Sequence, residues 1–247
     1  MPPHINRHIS FFKNAHNHII SPTAATPATS NNNGESSYSP ISPLSPTKRN
    51  LVRLTGRNEH TLTVLDPAIA EILRDTLPPL QREADSWQLR YSTDQHGMSL
   101  QTLFTRANES TTARGAVGFH GPVMLVIRDV YGAIFGAFLS EPPARHKGFY
   151  GNGSCFLWKQ QHHPNHTDSG SKTISLYMAT GNDDYFMLSE SGAELAFGAG
   201  DGKFGLWIDS QINMGHSETC STFLNAPLAT TPGSFQIDAL ELWSFNL

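Results

Sequence analysis

Two cysteine thiols are the side chains of this 247-residue chain with the strongest intrinsic chemistry. A thiol reacts as its thiolate, which needs a nearby cation or a helix N-terminus for stabilisation. Cys155 begins the apolar run CFLW, which would shield it from reagents, whereas Cys220 follows His216 and Glu218 closely in sequence. The two cysteines make no disulfide framework, and without a signal-peptide pattern we expect both to be reduced. Cys220 is therefore the candidate redox residue, although a free cysteine more often serves as a small buried hydrophobe.

A second candidate for chemistry is the polar segment QQHHPNHTDSGS, which carries groups that could ligate a metal ion. The potential ligands are His162, His163, His166 and Asp168. The Pro, Asn and Gly residues among them predict a flexible loop, which would preorganise a zinc site poorly. Farther along, His216-Ser217-Glu218 matches the start of a zinc-deaminase signature, but the Pro-Cys-x-x-Cys half is missing. We therefore predict neither a metal nor a cofactor.

A glycine cluster late in the chain has the outward form of a phosphate-binding loop. It consists of Gly198, Gly200, Gly202 and Gly205. A phosphate cradle needs the backbone N–H groups of a helix N-terminus, but the residues that follow, KFGLWID, favour a strand. Glycines that supply positive φ at a tight turn are the better interpretation. Neither G-x-S-x-G nor H-E-x-x-H occurs, so we expect no enzyme.

Composition and charge argue against three other classes of function: nucleic acid binding, membrane insertion and small-ligand binding. The net charge is −4 and no basic stripe stands out, which argues against nucleic acid binding. The longest apolar run, from Val123 to Ile127, is too short to cross a bilayer, so we expect no membrane insertion. Trp158, Trp207 and Trp243 could line a groove for a small ligand, but large aromatic residues in strands are more often core.

Two short helices should precede the strands that position these residues. Asp66 predicts an N-cap with Pro67 at the first helical position, and Pro78-Pro79 should end that helix. Ser99 predicts the cap of a second helix that begins at Leu100. The helices should pack on the edge or the end of the strand layers.

Apolar and alternating runs predict strands through most of the remaining chain. They are WQLRYST, PVMLVIRD, YGAIFGAFLS, CFLW, TISLYMA, YFMLSES, AELAFGAG, KFGLWID and FQIDALELWSF. Asp129 to Gly132 predicts a hairpin turn. The final run would place one set of apolar residues on a single strand face, which Glu241 interrupts: Phe235, Ile237, Ala239, Trp243 and Phe245. We expect a bulge there or a strand buried on both faces. The pattern predicts an α+β chain, mostly β, built as a two-sheet antiparallel β-sandwich flanked by short helices.

Residues 1–49 differ in composition from the domain expected over residues 50–247. Ser, Pro, Thr and Asn dominate residues 21–49, which lack the apolar surface that would offset the entropy of ordering, so we expect a disordered arm. The first acidic residue is Glu35, and the preceding stretch has a weak likeness to a mitochondrial transit peptide. We expect a cytoplasmic protein, with mitochondrial import as the alternative. Four serines followed by proline could accept phosphate: Ser21, Ser39, Ser42 and Ser45.

Seven sequence blocks occur in an order that is typical of one family. They are WQLRYS (87–92), FGAFLSEP (135–142), FYGNGSCFLW (149–158), TGNDDYF (180–186), LAFGAGDGKFGLWID (195–209), CSTFLNAPL (220–228) and LELWSF (240–245). Together they resemble the TLDc domain of the oxidation-resistance family, over roughly Leu51 to Leu247, with the polar loop 160–172 as an insertion. Family members commonly carry acidic residues where this chain has Ser154 and Asn182. If those acids contact a partner, the resemblance implies that the contact is altered in this chain, with Asp183 or Asp184 as candidate substitutes.

The resemblance implies both a fold and a function. The family fold is a two-sheet β-sandwich flanked by short helices, which agrees with the pattern above. Its members are associated with resistance to oxidative damage, and several bind the V1 sector of the vacuolar proton-pumping ATPase and control its assembly or activity. We therefore expect a monomeric, non-enzymatic protein-binding module, with a thiol-dependent antioxidant enzyme that uses Cys220 as the alternative. Because loops carry binding in sandwich folds, the candidate partner-binding residues are Glu141, Asp183, Asp184, Asp201, Lys203 and Asp209.

Overall fold

The computed structural model describes residues 50–109, 120–161 and 172–247. The N-terminal arm and the histidine-containing segment 162–171 lie outside the described residues. The predictions of disorder, phosphorylation and import for the arm therefore stay predictions, as does the metal-binding alternative at His162, His163, His166 and Asp168. Within the described part of the chain, no helix is long and apolar enough to span a bilayer.

Four short helices occur in the described residues. They are α1 (Pro67–Arg74), α2 (Pro79–Arg82), α3 (Thr93–His96) and α4 (Leu100–Asn108). The Asp66 side chain accepts a hydrogen bond from the Ile69 N–H at 2.9 Å, which confirms the predicted N-cap of α1. Ser99 caps α4 through the Thr102 N–H at 3.4 Å, as predicted. The Pro78-Pro79 pair, expected only to end α1, instead begins α2, because proline suits the first position of a helix.

Twelve strands account for most of the remaining described residues. They are β1 (Arg53–Thr55), β2 (Ser86–Ser92), β3 (Val123–Asp129), β4 (Ile134–Leu139), β5 (His146–Tyr150), β6 (Phe156–Gln161), β7 (Thr173–Met178), β8 (Met187–Ser189), β9 (Glu194–Gly200), β10 (Lys203–Asp209), β11 (Met214–Ser217) and β12 (Gly233–Asn246). The hairpin between β3 and β4 turns at the predicted residues, where the Gly132 N–H donates to the Asp129 carbonyl at 2.9 Å.

The strands form two sheets that share the long strand β12. The first sheet has the order β1-β2-β12-β3-β4-β6-β7, and the second has the order β5-β8-β9-β10-β11-β12. All strand pairs are antiparallel except β1 with β2. This arrangement confirms the predicted β-sandwich with few, short helices.

Strand β3 of the first sheet is buried on both faces, which explains its continuous apolar run. Val123, Leu125 and Ile127 face a core that lies between the two sheets, where they join residues of β9 and β10. Met124 and Val126 point to the opposite face, into a second core that includes residues of α1 and the segment before it. We call residues 50–74 the N-terminal cover, because their apolar side chains cover this outer face.

A bulge in β12 changes which side chains face each core. The register shifts between Ile237 and Ala239, so Ile237 faces the core between the sheets while Ala239 joins Trp243 and Phe245 under the N-terminal cover. The expected bulge and the expected burial on both faces are therefore confirmed. The grouping of these residues on one strand face is wrong, because the extra residue of a bulge reverses the alternation that follows it.

Candidate partner-binding surface

Two loops, residues 180–185 and 220–225, are joined by the carboxylate of Asp183. Its Oδ2 accepts a hydrogen bond from the Ser221 hydroxyl at 2.6 Å, and its Oδ1 accepts one from the Thr222 hydroxyl at 2.7 Å. The same Oδ1 accepts from the Tyr185 N–H at 3.2 Å, and the Thr180 N–H donates to the Thr222 carbonyl at 2.9 Å. We call the two loops together the Asp183 surface. Hydrogen bonds to a carboxylate are among the stronger ones in proteins, so Asp183 holds the loops in one arrangement.

The loop 220–225 is further fixed by a buried asparagine. The Asn225 side-chain amide donates to the Glu218 carbonyl at 2.9 Å and the Ala226 carbonyl at 3.2 Å, and its oxygen lies 3.3 Å from the Cys220 sulfur. Asn225 is fully buried, so these bonds replace the water that its polar atoms would otherwise need. The two ends of the loop, Cys220 and Asn225, are therefore buried and held in place, whereas Leu224 between them is exposed.

The hairpin between β9 and β10 packs against this loop at its glycines. Gly198, Gly200 and Gly202 have positive φ, as predicted for turn glycines. A Cβ atom on Gly200 would lie 2.3 Å from the Ser221 hydroxyl oxygen, and one on Gly198 would lie 2.5 Å from the Phe223 ring. Gly205 has no such φ, but its Cβ would come within 2.7 Å of Leu157. The glycines therefore serve tight turns and close packing.

The structure brings some of the predicted partner-binding residues together and separates others. Asp184 and Asp201 are exposed, and Asp201 occupies the hairpin tip beside the Asp183 surface. Lys203 begins β10 next to that tip and forms an ion pair with Glu218 at 3.5 Å. Gly200, which precedes Asp201, packs against Ser221, and Ser221 is bonded to Asp183, so Asp183, Asp184 and Asp201 lie on neighbouring loops.

The remaining two predicted residues lie elsewhere. Asp209 ends β10, six residues from Lys203, and its Oδ1 accepts hydrogen bonds from the Asn213 and Met214 N–H groups at 2.8 and 3.2 Å. Its carboxylate is therefore committed to the β10–β11 turn. Glu141 is exposed just after β4. Burial raises the pKa of the Tyr150 hydroxyl to about 12, and the negative charge of Glu141 adds to this effect.

Three polar side chains lie together on strands β11 and β12 and just after β11. Two of them, His216 and Glu218, belong to the rejected zinc-deaminase pattern, and the third, Ser234, was not singled out from the sequence. His216 Nε2 lies 2.8 Å from Glu218 Oε2, and His216 Nδ1 lies 3.4 Å from the Ser234 hydroxyl. The hydrogen bond from His216 is the main reason that the pKa of Glu218 is lowered. Although serine, histidine and a carboxylate can form a catalytic triad, these side chains are open to water, which weakens the electrostatic stabilisation that catalysis needs. We interpret this group as sheet-surface pairing.

Neither cysteine has the environment of a reactive thiol. Cys220 is 3% exposed, and burial raises the pKa of its thiol. The imidazole of His216, which could have activated it, is bonded to Glu218 instead. Cys155 is also buried, with its sulfur 3.4 Å from the Ser140 hydroxyl. Among the described residues, no group of three His, Cys, Asp or Glu side chains is arranged to hold a metal.

The tryptophans and a cleft beside the β3–β4 hairpin are candidate places for small-molecule binding. Trp158 and Trp243 are fully buried, which contradicts the groove alternative for them, and Trp207 is half-buried. A cleft of about 280 Å³ lies beside the β3–β4 hairpin, and its lining includes Lys159 and Thr230. The Lys159 ammonium already donates to the Pro227 and Ala229 carbonyls at 3.1 and 3.3 Å. Lys159 and Tyr131 are the ionisable side chains among the described residues that line this cleft, and the ammonium of Lys159 is already engaged by these carbonyls.

Comparison with known proteins assigns a family to this architecture. A family model of the TLDc domain matches residues 58–246. The chain is 33% identical to Oxidation resistance protein 1 of Podospora anserina, over 78% of this chain and 63% of that protein. It is 32% identical to the protein of the same name from Gibberella zeae, over 73% of this chain and 65% of that protein. With the Kluyveromyces lactis protein, also named Oxidation resistance protein 1, it shares 34% identity, over 78% of this chain and 80% of that protein. The matched part of the chain thus spans less than two thirds of the length of the Podospora anserina and Gibberella zeae proteins.

Proposed function

The chain belongs to the TLDc domain family, and from this we propose that it is a non-enzymatic protein-binding module that contributes to resistance against oxidative stress. Its partner is the V1 sector of the vacuolar proton-pumping ATPase, whose assembly or activity it regulates. The module acts as a monomer in the cytoplasm, with mitochondrial import as the alternative location. Neither a cofactor nor a metal takes part.

The observation that carries this proposal is the form of the Asp183 surface. Its polar atoms are engaged in holding two loops in place, so they position a surface and do not converge on a reacting atom. A rigid surface loses little conformational entropy on binding, and loops on a rigid sandwich are where recognition is commonly placed. The relatives named for oxidation resistance support the physiological role.

The alternative, a thiol-dependent antioxidant enzyme, receives less support from the same residues. Peroxide reduction needs an accessible thiolate. Burial raises the pKa of Cys220 and also shields its sulfur, and both effects oppose that chemistry. We therefore retain the binding module as the proposed function.

Binding to purified V1 tests the proposal directly. The full chain should co-migrate with V1 in size-exclusion chromatography and change the rate of ATP hydrolysis at micromolar concentration. Charge reversal by Asp184→Lys should weaken both effects, since Asp184 is exposed on the Asp183 surface. The matched control is Glu59→Lys, a reversal at an exposed residue of the N-terminal cover, which should change neither. If the wild-type chain neither co-migrates with V1 nor alters its ATP hydrolysis, the proposed function is wrong.

A further inference from the structure

Leu224 combines backbone strain with solvent exposure. Its φ is +47°, a left-handed conformation that costs energy for an L-residue with a side chain. Two other non-glycine residues in the described chain have positive φ, and each has a local reason. Asp201 occupies a hairpin tip, where aspartate is tolerated, and Ile212 is fully buried, so that its packing offsets the strain. Leu224 is 63% exposed, and little packing offsets its strain.

The neighbours of Leu224 hold it in this conformation. Its N–H donates to the Cys220 carbonyl at 2.9 Å. On either side of it in sequence, Phe223 is buried against Gly198 and Asn225 is fully buried in its hydrogen-bond network. Strain that persists because the surroundings enforce it is found mostly at functional positions. The loop therefore presents the Leu224 side chain to solvent from a fixed backbone position.

The Asp183 surface, which includes Leu224, and the aromatic pair that continues from it combine acidic, apolar and aromatic side chains. Thr222, two residues earlier, is bonded to Asp183, and Asp184 beside it is exposed. Tyr185 follows, and its ring packs on that of Phe149 with 4.5 Å between the ring centroids. Phe149 is 37% exposed. Aromatic and apolar side chains within a polar rim are typical of the centre of an interface.

We propose that Leu224 is a preformed anchor that inserts into an apolar pocket of a partner protein with a basic rim. The pocket would desolvate the leucine side chain, and the basic rim would complement Asp184 and Asp201. This inference rests on the proposed function and deepens it, because it names the side chain of the Asp183 surface that inserts into V1.

A pair of substitutions separates the anchor role from a structural one. Leu224→Asn should raise the melting temperature by about 2 °C, because asparagine tolerates the left-handed conformation better than leucine. The same substitution should weaken V1 binding about tenfold or more, since an apolar contact is lost. Leu224→Met keeps an apolar side chain and should bind V1 as the wild type does. If Leu224 had a purely structural role, a substitution that stabilises the protein would not weaken its binding to V1.

Leu62→Asn is the matched control, because Leu62 is an exposed leucine, 54% accessible, in the N-terminal cover. It should leave the affinity for V1, measured with the full chain by interferometry, unchanged. If wild type and Leu224→Asn bind V1 equally well, the anchor is refuted while the proposed function stands. If the wild type does not bind V1, the proposed function fails and the anchor fails with it. If Leu224→Met binds as weakly as Leu224→Asn, or Leu62→Asn weakens binding equally, the apolar-anchor explanation is wrong.

Discussion

Glu241→Gln removes one negative charge from strand β12, beneath the N-terminal cover, with little change in the volume of the side chain. Glu241 is fully buried, and its two oxygens accept hydrogen bonds from Arg57 Nε and Nη2 at 2.8 and 2.7 Å. The Leu65 N–H and the Trp243 ring N–H add bonds at 2.9 and 3.1 Å, and the Val64 N–H lies at 3.4 Å. Every group that faces the carboxylate is a donor. A glutamine NH₂ group would therefore meet other donors, and its bonds would be lost.

The expected loss of stability follows from the burial of this pair. Breaking a buried ion pair by removing one partner costs about 3–5 kcal/mol, because the remaining charge is left uncompensated. Arg57 is 17% exposed and packs over the Trp243 ring at 4.6 Å, so water and the ring offset part of the cost. We expect a loss of about 3 kcal/mol, which corresponds to a fall in melting temperature of about 6–12 °C for a domain of this size.

Urea unfolding and calorimetry of the full chain measure this change. A double-mutant cycle with Arg57→Met isolates the coupling between the two side chains. We expect the double variant to be less destabilised than the sum of the single variants, since neither charge is then left alone. Glu109→Gln is the control, because Glu109 forms an exposed ion pair with Arg106, and such pairs contribute little.

Three results would refute this reasoning. One is a loss below about 1 kcal/mol for Glu241→Gln, within the range of a single neutral hydrogen bond. Another is strict additivity in the cycle with Arg57→Met. The third is an equal loss for Glu109→Gln. Any of them would mean that the buried charge does not hold the N-terminal cover on the first sheet.

Two further predictions concern titratable groups. Burial alone would raise the pKa of Asp66, but hydrogen bonds from Lys172 and the Ile69 N–H outweigh it and lower that pKa, so Asp66→Ala should cost about 1 kcal/mol at neutral pH. Because the folded state favours the carboxylate, this difference from wild type should shrink as the pH falls towards about 3, and a constant gap in pH-dependent urea titrations would contradict it. Cys220 in a Cys155→Ser chain should react slowly with a thiol reagent when folded and rapidly in denaturant, and equal rates would contradict its burial.

Local sequence patterns determined much of this protein. Asp66 and Ser99 were identified as helix caps because capping depends on side chains within three residues, and both caps are present. The apolar run of β3 and the turn at Asp129 likewise depend on neighbouring residues. Strands β1, β5 and β11 were not predicted. β1 is three residues long, β5 contains a charged residue and a register shift, and the four residues of β11 have no apolar alternation.

Only the tertiary structure decided how distant residues combine. Glu241 looked like an interruption in an apolar strand, because its partner Arg57 lies 184 positions away in the chain. In the sequence, Asp183 and Asp209 are both aspartates in predicted turns. In the structure, Asp183 joins two loops, whereas Asp209 accepts hydrogen bonds within a single turn. The left-handed backbone of Leu224 is imposed by buried neighbours on either side and has no local signature. Short-range rules describe which elements form, whereas pairing across the chain depends on packing that no local window contains.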